Sequence, residues 1–407
     1  CLMPFTTSVF LITASHLSLI PAVIISVLFL LFPTMICMGA TSPLIISILT
    51  HNANESGENS GKIYAVSTVG GILATFLCGF YLIPNFGVQL SLIGFAITLG
   101  LAASFLILKK KSKVSGSILL FVISLALYGF ANSKSNRFTV FKSEGILGKL
   151  EIREEPSYRN EAVIIRKLLI NNTIQTEMQI DSKQSVSDYV RLVEKNLLYL
   201  PKGKALILGL GGGVVANMFQ QHHYDVTAVE FDSRIIDMAK QFFYLSDSVK
   251  TVSADARYYI NNCTDKFNII LFDVFKAEEQ PSHVITKESL VKLKTMLDTN
   301  GIVLINTHGY LTGEKGLGTQ CMLATLKQAG FDIKICTFSE VEKYRNLLLV
   351  ASLKPIDVAL HGELYPFMLT DLETINKDNQ PILEALNASA NQEFRTLYLN
   401  NYILRNY

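Results

Sequence analysis

The sequence predicts an α-helical membrane region followed by an α/β domain built on a parallel sheet. Up to about Asn132 apolar residues dominate, whereas the rest of the chain carries charged residues at the density of ordinary globular domains. From Lys204 onward, short apolar runs alternate with segments of helical period, which indicates parallel strands covered on both faces by helices. With 407 residues, the chain is long enough for more than one domain.

The apolar region contains several stretches that approach the roughly 20 residues needed to cross a bilayer. These stretches are Leu17–Met38, Tyr64–Ile83, Val88–Leu108 and Ile118–Phe130. They are almost free of charged residues, so buried helices of a soluble protein are the less favoured alternative. We therefore expect an integral, multi-pass protein of the inner or plasma membrane, with membrane lipid as a partner.

Two further expectations concern the membrane region. The lysine-rich run from Lys109 to Lys113 favours the cytoplasm, but basic residues beyond the fourth stretch favour the opposite orientation. Because nucleotide cofactors are made in the cytosol, we expect the catalytic domain on the cytoplasmic side. The chain starts at Cys1 without an initiator methionine, so we expect that residues are missing from its beginning.

A strand-like segment follows the membrane region. The residues from Lys149 to Thr176 alternate between apolar and polar, and Asn171 with Asn172 forms a turn signal after the run Val163–Ile170. A helical pattern follows over Val186–Leu198. This pattern predicts a small β-hairpin subdomain and a linking helix.

The α/β domain ends with two runs, Phe331–Cys336 and Asn346–Ala351, joined by a short polar segment. A closing antiparallel hairpin of this kind is typical of Rossmann-like, methyltransferase-type sheets. The predicted domains are a multi-span transmembrane region (1–135), the β-hairpin subdomain with its helix (136–200), the Rossmann-like catalytic domain (201–355) and a helical C-terminal extension (356–407).

A glycine-rich turn marks the first candidate site. Gly209, Gly211, Gly212 and Gly213 stand where the first strand ends and a helix begins, and Glu230 ends the next strand. Glycine lets the backbone turn sharply and approach a ligand, and an acid at the second strand can accept hydrogen bonds from ribose hydroxyls. A nucleoside pocket is favoured over the alternative, a tight turn beside a solvated acid.

Three more side chains follow later strands. Asp255 comes after the third strand, where it can bind an adenine amino group, cap the next helix, or do both. Asp273 ends the fourth strand and can act as a general base, hold an amine, or cap a helix. His283 follows on the next loop, either as a pocket residue or as a surface histidine.

Charge and cysteine usage exclude several functions. The net charge of +2 gives no field that favours nucleic acid as a partner. The six cysteines are scattered, without a CxxC pair or a Cys/His spacing typical of metal sites, and we expect no metal.

The order of these motifs resembles the spermidine synthase (polyamine aminopropyltransferase) family. The motifs are GLGGG at 209–213, VEFD at 229–232, SADAR at 253–257, FDVF at 272–275 and ITKE at 285–288. Residues 33–44, 61–65 and 378–381 further resemble the branch of that family that is fused to a membrane region.

The resemblance implies a membrane-anchored enzyme that transfers an aminopropyl group from decarboxylated S-adenosylmethionine to a small-molecule amine. It implies that Glu230 and the glycine turn hold the nucleoside, and that Asp273 accepts the proton of the amine. It places Asp255 and Ala256 at the adenine, and Tyr158, Gln175, Tyr189 and His283 at the substrate. Since the family forms dimers or tetramers, a homo-oligomer is among the expected states.

Several positions depart from the family pattern. Gly212 replaces an aspartate that contacts the aminopropyl nitrogen of the donor, and Lys276 replaces a second acid near Asp273. Val190 with Arg191, and Arg159, stand where the family has groups of the amine site. The alternatives are an S-adenosylmethionine-dependent methyltransferase on the same fold, or a non-catalytic membrane transporter or sensor that binds a nucleoside.

Overall fold

The computed structural model of the chain describes residues 19–109, 137–145, 147–158, 160–275, 280–339, 345–357, 359–364 and 374–398. The chain divides into two compact units. The first comprises the N-terminal helices together with residues 143–148, and the second comprises residues 138–142 and the described residues from 149 onward.

The N-terminal unit is helical. Its helices are α1 (Leu19–Leu30), α2 (Phe32–Leu49), α3 (Ser56–Leu77) and α4 (Ile83–Lys109), with a π-helical turn at Cys78–Leu82 between α3 and α4. The first predicted span is therefore divided at Leu31 into two helices. The third begins beside Gly87, where a φ of 76° interrupts the helical backbone.

The structure does not support the expected multi-span region. Among the described residues, one helix, Ser56–Val88, is long and apolar enough to cross a membrane by length and composition, and shorter apolar helices lie at Met35–Leu49 and Leu90–Ala102. The fourth predicted span, Ile118–Phe130, lies outside the described residues.

A four-stranded antiparallel sheet precedes the larger domain in the chain, instead of the single hairpin predicted. Its strands are β1 (Thr139–Gly145), β2 (Gly148–Pro156), β3 (Ile164–Ile170) and β4 (Thr173–Gln179), in the order β1-β2-β3-β4. The predicted turn between β3 and β4 is confirmed, since Asn171 and Asn172 have φ values of 49° and 67°. Helix α5 (Asp188–Leu197) then leads into the larger domain.

The larger domain contains a seven-stranded sheet of order β10-β11-β9-β8-β5-β6-β7. Its strands are β5 (Lys204–Leu208), β6 (Asp225–Glu230), β7 (Lys250–Ser253), β8 (Phe267–Phe272), β9 (Leu297–Gly309), β10 (Asp332–Cys336) and β11 (Arg345–Ser352). Strands β5 to β9 pair in parallel, and β11 pairs antiparallel with both β9 and β10. The expected Rossmann-like sheet with a closing antiparallel hairpin is confirmed.

Helices cover both faces of this sheet and complete its core. They are α6 (Val214–Gln221), α7 (Ser233–Phe242), α8 (Ala256–Asn262), α9 (Lys287–Lys294), α10 (Leu317–Gln328) and α11 (Leu383–Tyr398). Alternate residues of the central strands point to opposite faces, so Ile207 and Ile269 join one apolar cluster while Leu208 and Ile270 join the other. In a third cluster the four-stranded sheet packs Ile152 and Leu168 against residues of α6 and α7.

Candidate active site

The glycine turn joins β5 to α6 at the carboxyl edge of the sheet. Gly209 has a φ of 90°, and a Cβ on it would lie 2.2 Å from the backbone oxygen of Asp273. Its N–H donates to the carbonyl of Val229 at 2.8 Å. Only glycine permits this approach, which places the ends of β5, β6 and β8 side by side.

The glycine turn also contacts the four-stranded sheet. The N–H of Gly212 donates to Oγ1 of Thr176, on β4, at 2.8 Å. A Cβ on Gly212 would lie 2.8 Å from Cγ2 of Thr176 and 2.9 Å from the ring of Phe243. Thr176 and Phe243 therefore occupy the space that an aspartate side chain would need at this position.

Glu230 ends β6 directly beside the glycine turn. Its carboxylate accepts hydrogen bonds from the N–H of Leu210 at 3.1 Å and from the N–H of Asp232 at 3.0 Å. Burial raises the pKa of Glu230, although the backbone N–H groups around it act in the opposite direction. The predicted acid and the predicted glycine turn are thus in direct contact.

Asp273 follows β8 and is held by two side chains. The hydroxyl of Tyr189, on α5, donates to Oδ2 at 2.7 Å, and the amide of Asn306, on β9, donates to Oδ1 at 2.8 Å. Burial raises the pKa of the Asp273 carboxyl, and the two donors partly offset this rise. Burial and the neighbouring carboxylate raise the pKa of Tyr189 well above its usual value, so the phenol keeps its proton and remains a donor.

A chain of polar groups continues behind Asn306. Nδ2 of Asn346, on β11, approaches Oδ1 of Asn306 at 3.3 Å and Nε2 of His308 at 2.7 Å. Burial lowers the pKa of His308 to about 4, so its ring is neutral at physiological pH. The side-chain amide of Gln280 donates to the backbone carbonyl of Asn306 at 2.5 Å.

These groups were not predicted from the sequence. Their one signal is that the polar residues Asn306 and His308 directly follow the apolar run 302–305, near the carboxyl end of β9. That signal also fits a strand that simply emerges into solvent.

Asp255 and His283 lie close together at a different part of the same edge. Oδ1 of Asp255 accepts the N–H of Tyr258 at 2.9 Å and so caps α8, as one of the predicted alternatives required. Oδ2 lies 3.4 Å from Nε2 of His283. Ala256 follows as the first residue of α8 and is buried.

The remaining predicted substrate residues are less central. Tyr158 lies between β2 and β3 with a side chain that is 73% exposed, and Gln175 is half-buried on β4. Lys276 and Arg159 lie outside the described residues. In the described part of the chain, no group of three or more His, Cys, Asp or Glu residues is placed to hold a metal.

The fold and the site define a Rossmann-like domain of the methyltransferase type, with acids at the carboxyl ends of β6 and β8. Within this fold, residues 183–353 match the family described as "Spermine/spermidine synthase domain".

Proteins with related sequences include a polyamine aminopropyltransferase of Vibrio vulnificus (strain CMCP6), 36% identical over 129 residues, which are 29% of this chain and 42% of that protein. A probable polyamine aminopropyl transferase of Bifidobacterium longum (strain NCC 2705) is 26% identical over 27% of this chain and 25% of its own length. An N-terminal histidine N-methyltransferase of Emericella nidulans is 29% identical over 26% of this chain and 20% of its own length. The chain thus spans less than half of the length of each of these relatives.

Solved structures that are similar to this chain include a probable spermidine synthase from Corynebacterium glutamicum ATCC 13032. It is 20% identical, covers 53% of this chain and 81% of its own, and gives a TM-score of 0.46. The spermidine synthase from Thermotoga maritima is 15% identical, covers 64% of this chain and 88% of its own, and gives a TM-score of 0.42.

Proposed function

We propose that this chain is a membrane-attached aminopropyltransferase that uses decarboxylated S-adenosylmethionine as donor and a small amine as acceptor. The observation that carries the proposal is the half-buried Asp273 at the carboxyl end of β8, whose carboxylate is held by Tyr189 and Asn306 and whose backbone lies against the glycine turn. The match of residues 183–353 to the synthase domain supports the same reaction class.

The glycine turn and Glu230 would hold the nucleoside. Backbone N–H groups of Leu210 and Asp232 fix the carboxylate of Glu230 beside the glycine turn, where it would accept from the ribose hydroxyls. Only Oδ1 of Asp255 caps the helix. Oδ2, which lies near His283, would accept a hydrogen bond from the adenine amino group.

Asp273 would act as the general base. The amine nitrogen forms a bond to the carbon next to the sulfonium, the C–S bond breaks with its electron pair going to sulfur, and methylthioadenosine leaves. The proton lost by the nitrogen passes to Asp273. Because burial raises the pKa of this carboxyl, its ionised form is a stronger base than that of an exposed aspartate.

A second function, methyl transfer from S-adenosylmethionine, is favoured by one observation. Gly212 carries no carboxylate, and Thr176 and Phe243 fill the space around it. No acid therefore stands on the glycine turn to attract the amino end of the decarboxylated donor. The donor preference of the protein decides between the two transfers.

The membrane attachment is part of the proposal. Helix Ser56–Val88 has the length and composition of a span, and its large apolar side chains are exposed, as Val66 at 73% and Phe80 at 77% illustrate. We propose that this helix attaches the protein to the inner or plasma membrane, with the catalytic domain on the cytoplasmic side and lipid as its partner.

The test uses the whole chain in detergent. Calorimetry with S-adenosylmethionine, its decarboxylated form and methylthioadenosine should give the tightest binding for the decarboxylated donor. Incubation of that donor with primary amines should then release methylthioadenosine. Asp273→Asn should bind the donor normally and lose about 100-fold or more in turnover.

Tighter binding of S-adenosylmethionine, with methyl transfer to an acceptor, would replace this proposal with the second function. Binding without any turnover would indicate the transporter or sensor alternative. No binding of any of the three ligands would exclude the nucleoside pocket itself.

A further inference from the structure

Gln280 is connected to the proposed base through Asn306 and is not part of the family pattern described above. Its side chain is buried, with 4% exposure, and its Nε2 donates to the backbone carbonyl of Asn306 at 2.5 Å. The side chain of the same Asn306 donates to Asp273. The Gln280 amide is therefore hydrogen-bonded to Asn306, which in turn donates a hydrogen bond to the proposed base Asp273.

The carbonyl oxygen of this amide has no hydrogen-bond partner among the described residues. Within the part of the chain that the structure describes, Oε1 of Gln280 is buried and accepts no hydrogen bond. A buried carbonyl oxygen without a donor is costly, and such groups in native proteins usually have a partner. A ligand N–H can satisfy this oxygen.

The segment that carries Gln280 is fixed by the C-terminal part of the chain. The carboxylate of Glu384 accepts the N–H of Ser282 at 3.0 Å and its hydroxyl at 2.5 Å. The side-chain amide of Asn376 donates to the carbonyls of Ser282 and Ile285, both at 2.7 Å. These bonds hold the segment in place, so the position of the Gln280 amide does not depend on a ligand.

We propose that Gln280 is a binding residue for the acceptor amine, with Oε1 accepting one N–H of the nitrogen that attacks the donor. The inference rests on the proposed aminopropyl transfer. A neutral primary amine has two N–H groups and a lone pair. Asp273 takes one proton, Gln280 holds the second N–H, and the lone pair is left to form the new N–C bond.

The chemistry of the amide suits this role. An amide oxygen accepts a hydrogen bond but does not take the proton at neutral pH, so Gln280 orients the amine without competing with Asp273 for its proton. A nitrogen with two N–H groups satisfies both residues, whereas a tertiary amine satisfies neither. The site therefore selects primary amines.

The experiment measures amine binding to the whole chain in detergent, saturated with methylthioadenosine. The probes are butylamine and 1,4-diaminobutane. Gln280→Met, which keeps the length of the side chain but removes its polar atoms, should raise the Kd of both probes about 10-fold or more. Gln280→Glu keeps an acceptor oxygen and should restore most of the affinity.

The matched control is Gln320→Met. Gln320 is also a buried glutamine whose Nε2 donates to a backbone carbonyl, that of Leu311, at 2.6 Å. This variant should bind both probes as the wild type does, and all variants should bind methylthioadenosine unchanged. If Gln280→Met binds the probes as tightly as the wild type, the role of Gln280 is wrong while the proposed function stands. If the wild type binds methylthioadenosine but neither amine, both proposals are wrong.

Discussion

Asp273 illustrates how much of the site depends on residues that are distant in the sequence. Its carboxylate lies at the end of β8, but Tyr189 comes from α5 and Asn306 from β9. A carboxylate must be ionised to accept a proton, so the proposed reaction should slow as the pH falls through the pKa of Asp273. Because burial raises this pKa, the decline should begin at a higher pH than for an exposed aspartate.

Removal of the Asn306 donor should strengthen this effect. In Asn306→Leu the ionised Asp273 loses one of its two hydrogen bonds, so its pKa should rise further and the acidic limb of kcat/KM should move to higher pH. We expect kcat at neutral pH to fall about 10-fold. The measurement is a pH–rate profile of the whole chain.

The control for this profile is Asn268→Leu, near the amino end of β8, where the asparagine bonds to Asp298. Its profile should coincide with that of the wild type. An unshifted acidic limb in Asn306→Leu would show that Asn306 does not act on the ionisation of Asp273.

At the scale of elements, the four-stranded sheet buries charges on one face. Glu151, Arg153 and Lys167 are each less than a tenth exposed. Arg153 donates hydrogen bonds to the carboxylate of Glu151 from Nε at 3.0 Å and from Nη2 at 3.2 Å. Nζ of Lys167 donates to the carboxylate of Glu155 at 2.8 Å. Burial alone would raise the pKa of Glu151, but Arg153, Lys149 and Thr139 overcome it and lower the pKa to about 2.

This depressed pKa predicts an acid-dependent loss of stability. The folded pKa lies below the usual glutamate value of 4.5, so the stabilisation is present above about pH 4.5 and is lost as the pH falls towards 2. The Glu151→Gln variant should lose about 3 kcal/mol of unfolding free energy at pH 7. Its stability should also depend less on pH across that interval, as measured by denaturant unfolding at several pH values.

The control variant is Glu161→Gln, because Glu161 is exposed in the turn before β3. It should unfold like the wild type at every pH. An equal acid dependence in Glu151→Gln and the wild type would mean that the buried pair contributes nothing to acid stability.

Helix α11 supports the segment between β8 and α9 through Glu384. Glu384→Ala removes two acceptor bonds to Ser282 and leaves its N–H without a partner in the described structure, so we expect a loss of about 1–3 kcal/mol. Thermal unfolding of the whole chain measures this loss. Glu393→Ala, on the same helix, removes a more exposed ion pair with Lys315 and should cost less. Equal losses in the two variants would contradict the supporting role of Glu384.

The sequence predicted the regular elements better than the polar ones. Apolar strands such as β5 and β8 are recognisable because both of their faces are buried. Strand β2 was harder to place, because alternating charges such as Glu151 and Arg153 normally indicate an exposed face. In the structure these two side chains are buried and pair with each other. The partners of Asp273 were missed for a related reason: Asn306 meets it only through the pairing of β8 with β9, which no local pattern encodes.

At the scale of the whole molecule, the N-terminal unit exposes many large apolar side chains, whereas the α/β domain buries its apolar residues in a core. If helix Ser56–Val88 spans a bilayer as proposed, the protein should stay in the membrane pellet after alkaline carbonate and enter solution only with detergent. Fractionation followed by immunoblotting measures this. Replacement of two exposed apolar residues of that helix, Leu73→Lys with Phe76→Lys, should release the chain from the pellet. The pair Lys62→Ala with Glu58→Ala at the polar start of the helix should not.

Asn376 and Glu384 both form hydrogen bonds with Ser282, so the segment that contains Gln280 depends on residues near the end of the chain. The match to the synthase family ends at residue 353, yet the segment around Ser282 inside that match is held by residues that follow it. An expression fragment that ends at residue 353 would keep Asp273 and Glu230. It would lack the hydrogen bonds that hold the segment carrying Gln280. Grafts, fusions and inhibitor screens based on this protein should therefore retain the sequence through Glu384 at least.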